Sequence, residues 1–136
     1  MPVTYRIETT RRVIYTRCIG NVTLDEVLDH FRLLERDPEC PDRMDVLLDL
    51  SESASVPESH QLRDVSNQIG RIRQRVRFDA CAIVAGSDVL FGMSRMFEVF
   101  AEKWFRATCV CRTRAEAEAW LTSRSAAINQ QSAEAS

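Results

Sequence analysis

Glycine and histidine are scarce in this 136-residue chain, and each scarcity excludes something. The four glycines, at 20, 70, 86 and 92, stand singly, so there is no glycine-rich loop of the kind that cradles phosphates. The two histidines, His30 and His60, have no carboxylate or cysteine near them at metal-ligand spacing. They read as surface polar residues, and no metal or cofactor is expected. Five cysteines, at 18, 40, 81, 109 and 111, are odd in number and form no CxxC pair. That excludes a complete disulfide framework and points to free, mostly buried thiols in a reduced, intracellular setting. No stretch approaches the roughly 18 apolar residues of a membrane span. The N-terminal MPVTYRIETTRRV has no basic segment leading into an apolar run, so a cytoplasmic home without membrane insertion is expected. An excess of positive charge is also missing. With 18 basic and 20 acidic residues the chain carries net −2, which gives no field for nucleic acid.

What is present is a regular alternation of patterns. Residues 4–9 (TYRIET) alternate at period two, and 12–20 (RVIYTRCIG) are rich in β-branched and aromatic residues. Only Thr10 and Arg11 separate them, which predicts a tight antiparallel hairpin. A first helix opens at Thr23, whose partner Glu26 completes a capping box, and carries Leu24, Val27, Leu28, Phe31 and Leu34 on one stripe. The apolar runs 44–50 (MDVLLDL), 78–86 (FDACAIVAG) and 106–112 (RATCVCR) read as buried strands. Between them lie helices at about 57–75, with Leu62, Val65, Ile69, Ile72 and Val76 as its stripe, and at about 88–104. A last helix over 113–124, capped by Thr113 and Glu116, turns Ala117, Trp120 and Leu121 inward. Residues 125–136 have no periodicity and are expected to be an unordered tail beyond a single domain of 1–124. The order β-β-α-β-α-β-α-β-α predicts an α/β fold: a five-stranded, mostly parallel sheet with one antiparallel edge and four helices.

That order, the VLLDLS strand and the IVAGSDVLFGMSRMFEVF strand-and-helix resemble the SpoIIAA-like fold of STAS domains. The family includes anti-sigma-factor antagonists and small stand-alone bacterial proteins. The resemblance implies a non-enzymatic, regulatory protein-binding module, with a kinase or another regulatory protein as partner. It also implies a phosphorylated serine where the second helix begins. The corresponding stretch is VPESHQL, in which Ser59 takes the serine's place and Glu58 that of the family's aspartate. His60 and Gln61 stand where the family has a second serine and a glycine. Related lipid-exchange proteins imply, as an alternative, a small apolar or anionic amphiphilic ligand.

Among the residues themselves, Asp49 and Ser51 end the third strand, where open α/β sheets commonly place ligands. Asp45 and Asp49 read alternatively as the solvated ends of that strand. Cys109 and Cys111 are two apart and share a strand face, as a redox or metal pair or, preferably, as two small packed residues. Arg71, Arg73, Arg75 and Arg77 look like a basic patch, but helical steps of two diverge by about 200°, which favours a solvated helix end.

The third helix concentrates the large apolar residues. At about 100° per residue, Val89, Leu90, Met93, Met96, Phe97, Phe100, Ala101 and Trp104 form an inward arc, with Ser94, Arg95 and Glu98 outward and Val99 at the edge. Phe91 falls inside the polar arc, one turn from Arg95. An exposed Phe beside an Arg is suited to anchoring an interface. The expectation is therefore a binding module, self-associating as a homodimer, that works through Phe91, Arg95 and the 51–62 loop with His60. A small enzyme with Asp49, Ser59, His60 and Arg95 at the strand ends is the rival reading.

Overall fold

The computed structural model describes residues 2–135, and side chains up to residue 124. Its elements are β1 (Val3–Glu8), β2 (Val13–Gly20), α1 (Leu24–Arg36), β3 (Arg43–Ser53), α2 (Ser59–Ile72), β4 (Arg77–Val84), α3 (Asp88–Phe100), β5 (Ala107–Cys111) and α4 (Arg114–Ala135). The expected tail beyond residue 124 lies outside the residues whose side chains are described. One five-stranded sheet runs in the order β1-β2-β3-β4-β5, with β1 antiparallel to β2 and every other pair parallel. This is the α/β architecture that the alternating pattern predicts.

The β1–β2 hairpin is looser than its two-residue spacing implies. Glu8 pairs with Val13, leaving residues 9–12 as the turn, and Arg12 closes it at φ 55. A left-handed residue supplies the reversal that no glycine or asparagine is there to make. Arg12 carbonyl then accepts from Asp45 N–H at 2.9 Å, which fixes the start of β3 against the turn.

Each crossover advances one strand in the same direction, so right-handed crossovers put α1, α2 and α3 on one face, α1 against α2 and α2 against α3. Leu34, Ile69, Ile72 and Phe97 pack there over Ile14, Met44, Cys81 and Ile83. The other face belongs to α4, whose Ala117 and Leu121 cover Tyr15, Leu47, Ala82 and Val84. Because the strand order never reverses, neighbouring helices do not part to opposite faces, and the sheet has no switch-point crevice.

Two β-bulges account for two of the aspartates. In β3, Asp49 to Glu52 faces only Arg17 to Ile19 of β2; in β4, Phe78 to Cys81 faces only Met44 to Val46 of β3. A bulge leaves an amide without a ladder partner. Asp49 Oδ1 accepts from Ser51 N–H at 2.9 Å, and Asp45 Oδ1 accepts from Ala80 N–H at 3.0 Å. Neither carboxylate is the solvated strand end that position alone implied: Asp49 is buried and Asp45 half-buried.

Candidate functional site

A cavity of about 160 Å³ opens on the three-helix face, toward the carboxyl ends of the parallel strands. Its floor is Cys18, Leu48 and Ile83 from the sheet. The walls come from Val27 of α1, Leu62 and Val65 of α2, and Leu90, Met93 and Phe97 of α3. The space exists because the 53–57 loop, SASVP, brings mostly small side chains to a place where three helices begin and large ones would be needed to fill it. Ser55 fixes that loop. Its Oγ accepts from Val22 N–H at 3.0 Å and donates to Val22 carbonyl at 3.3 Å.

The helix starts around the mouth are satisfied from within. Thr23 and Glu26 close the capping box of α1, with Oγ1 accepting from Glu26 N–H at 3.3 Å and Oε1 accepting from Thr23 N–H at 3.0 Å. Ser87 Oγ accepts from Leu90 N–H at 3.2 Å to cap α3. At α2 the N-cap position is held by Glu58, whose N–H donates to Gln61 Oε1 at 2.8 Å. Ser59 is therefore the first helical residue and not the cap; it is exposed.

A second, inner cavity of about 70 Å³ adjoins the first between sheet and helices, with Cys18, Val27, Leu48, Val65 and Phe97 in the lining of both. His30 lines its inner end. This overturns the reading of His30 as a surface residue: it is only 7% exposed. Nε2 stands 3.4 Å from Thr16 Oγ1, the Tyr5 ring meets the imidazole edge-on at 5.2 Å, and Nδ1 has no partner. Burial pushes its pKa down to about 4, so the ring is neutral at physiological pH. The signal was in the sequence, since Val27, His30, Phe31 and Leu34 fall at positions i, i+3, i+4 and i+7 of a buried stripe.

The residues singled out from sequence are not brought together. Asp49 and Ser51 belong to the bulge, and Asp49 lies toward α4 with Arg114 at 3.8 Å, on the opposite side of the sheet from the cavity. His60 is exposed and pairs with Glu58 at 3.2 Å. Phe91 is half-buried under the Arg112 guanidinium, 4.1 Å from its ring centre, so Arg112 takes the ring that the sequence offered to Arg95. Arg112 also meets Asp88 at 2.9 Å and Gly86 carbonyl at 3.1 Å, so the group braces the α3–β5 corner. Arg95 turns away to Glu98 at 3.3 Å.

Because Phe91 is anchored on that side, the buried arc of α3 is turned from the wheel's prediction. Ser94 is buried, while Val89 and Met96, expected inward, are 58% and 39% exposed. Cys109 and Cys111 do share a face, toward α4, with their sulfurs 3.4 Å apart; burial pushes the Cys111 thiol up to about 12. No group of three or more potential metal ligands occurs among the described residues, and no helix there is long and apolar enough to cross a membrane.

No protein-family model matches the sequence, and no curated protein matches it.

Proposed function

We propose that this protein binds a small apolar molecule, or the apolar end of an uncharged amphiphile, in the 160 Å³ cavity between its sheet and α1–α3. The carrying observation is the lining of the 160 Å³ cavity: no residue in it is charged, and Thr23, Ser53, Ser55, Gln61 and Ser94 are its few polar ones. Apolar cavities of about 150 Å³ stay dry and take up benzene-sized molecules. An anionic headgroup finds no cation in the wall, which favours a neutral one. The only titratable side chain in the wall is Cys18, and burial pushes its thiol up to about 11, so it stays protonated and a poor nucleophile. Binding without turnover is the chemistry that such a wall supports.

Titration with toluene and 1-hexanol tests this. At a hundredfold excess over Kd, binding stabilises by about 2.7 kcal/mol. At roughly 3–4 °C per kcal/mol for this chain length, Tm rises by about 8–11 °C. Val65→Phe fills the junction of the two cavities and should abolish the rise while circular dichroism stays unchanged. A wild-type Tm that moves with neither probe up to its solubility limit refutes the proposal.

A second reading, a homodimer or a regulatory protein partner, is favoured by the outer stripe of α3. Val89, Met96 and Val99 stand 58%, 39% and 63% exposed on α3, and Val56 in the cavity lining is 50% exposed. Several large apolar side chains exposed on one helix suit an interface. Ser59, exposed near that mouth, is the place where the STAS-like resemblance would put a regulatory phosphate.

A further inference from the structure

At the opposite end of the sheet, where the parallel strands begin, Arg43 of β3 and Arg77 of β4 are direct partners in register. Like charges facing each other on adjacent strands repel. Arg106, just ahead of β5, Arg73 at the end of α2, and Lys103 after α3 join them around a hollow of about 250 Å³. Trp104 forms part of its wall. Arg73 lies 5.4 Å and Lys103 5.0 Å from the indole centre, so the ring holds both cations in place. Trp104 is itself pressed onto Gly70 of α2, where any Cβ would come within 2.4 Å of the ring.

Asp79 is the only carboxylate in the lining, and Arg106 takes it at 3.4 Å. Among the described residues, Arg43, Arg73, Arg77 and Lys103 make no ion pair. Helix dipoles do not account for them all. The carboxyl ends of α2 and α3 carry about half a negative charge each, which Arg73 and Lys103 suit. Arg43 and Arg77 lie on strands and gain nothing from it. In a chain of net charge −2, five cations around one carboxylate form a local excess that repels itself unless an anion enters. Of the four arginines in the 71–77 run, only Arg73 and Arg77 take part; Arg75 turns aside and donates to Asp37 carbonyl at 2.9 Å.

We propose that this hollow binds a small, multiply charged oxyanion: the phosphate or pyrophosphate group of a small molecule. Guanidinium forks match phosphoryl oxygens in pairs. A volume of about 250 Å³ equals about eight waters at about 30 Å³ each, enough for a phosphoryl group or two but not for a track along a polymer.

The test is a titration with inorganic pyrophosphate at fixed ionic strength, read by calorimetry and by the Trp104 indole N–H resonance. Wild type should show saturable heat and a saturable shift that sodium chloride does not reproduce. Arg43→Gln/Arg77→Gln should lose at least tenfold in affinity, and its Tm without the anion should equal or exceed that of wild type, because the repulsion is gone. Lys103→Gln, on the opposite wall, supplies the same loss if the double variant fails to fold. Arg95→Gln, which lies outside the hollow, should bind as wild type does. Equal responses to pyrophosphate and chloride, or an unchanged affinity in these hollow variants, overturn the proposal. Tighter binding of a mixed-sequence single-stranded oligonucleotide or a polyglutamate peptide than of pyrophosphate overturns its small-molecule form.

Discussion

Replacing His30 with leucine should flatten the acid side of this protein's stability curve. His30 is 7% exposed, and its pKa falls from 6.5 to about 4 through burial alone. Burial is the whole cause: Tyr5 and Thr16 face the ring from the sheet, and Glu26 and Asp29, which line the same outer hollow as His30, add nothing to the shift. The unfolded chain therefore binds a proton below pH 6.5 that the folded chain refuses until about pH 4. Stability contributed by the neutral ring is complete above pH 6.5, is lost as pH falls, and is gone below about 4. A shift of that size corresponds to about 3 kcal/mol in full and to about 2 kcal/mol already at pH 5. At roughly 3–4 °C per kcal/mol, wild type should lose about 6–8 °C of Tm between pH 7 and pH 5 through this residue. His30→Leu gives up one long contact to Thr16 and removes the unpaired Nδ1, so its stability at pH 7 should stay within about 1 kcal/mol of wild type. Thermal melts of both proteins at half-unit steps from pH 7.5 to 4.5 decide it. Carboxylates titrate alike in the two, so the difference curve isolates the imidazole. Parallel curves across that range would refute the reasoning.

Gly70→Ala should cost about 2–3 kcal/mol by urea unfolding, because the new methyl meets the Trp104 ring at 2.4 Å; Trp104→Leu in the same chain should recover most of it. Arg12→Gly should raise stability by about 1 kcal/mol, since the residue sits at φ 55, and a lower urea midpoint would contradict that. Met96→Lys/Val99→Lys should halve the mass seen by light scattering if α3 forms a dimer seam, while two equal masses would end the self-association reading.

Much of the fold was legible because its signals are local. The capping pairs Thr23–Glu26 and Thr113–Glu116, the serine ahead of α3, and the apolar strands each depend on residues within a few positions of one another. Their alternation alone implies a mostly parallel sheet. The candidate site was far less legible. Phe91 and Arg95 are neighbours on the wheel, yet Arg112, 21 residues beyond Phe91, takes the ring and leaves Arg95 to Glu98. Asp49 reads as a strand end in the sequence, but β3 runs on to Ser53, and a register shift between β2 and β3 turns Asp49 into the acceptor for a bulge amide.

The sequence by itself determined most of the segments that become helices and strands, and that α1 to α3 follow successive strands. Tertiary structure decided where chemistry can occur. The two adjoining apolar cavities are volumes left by side chains from β2, β3, β4, α1, α2 and α3, and packing deficits have no sequence period. The basic hollow likewise joins Arg43, Arg77 and Arg106, which are far apart along the chain and adjacent only because parallel strands start side by side.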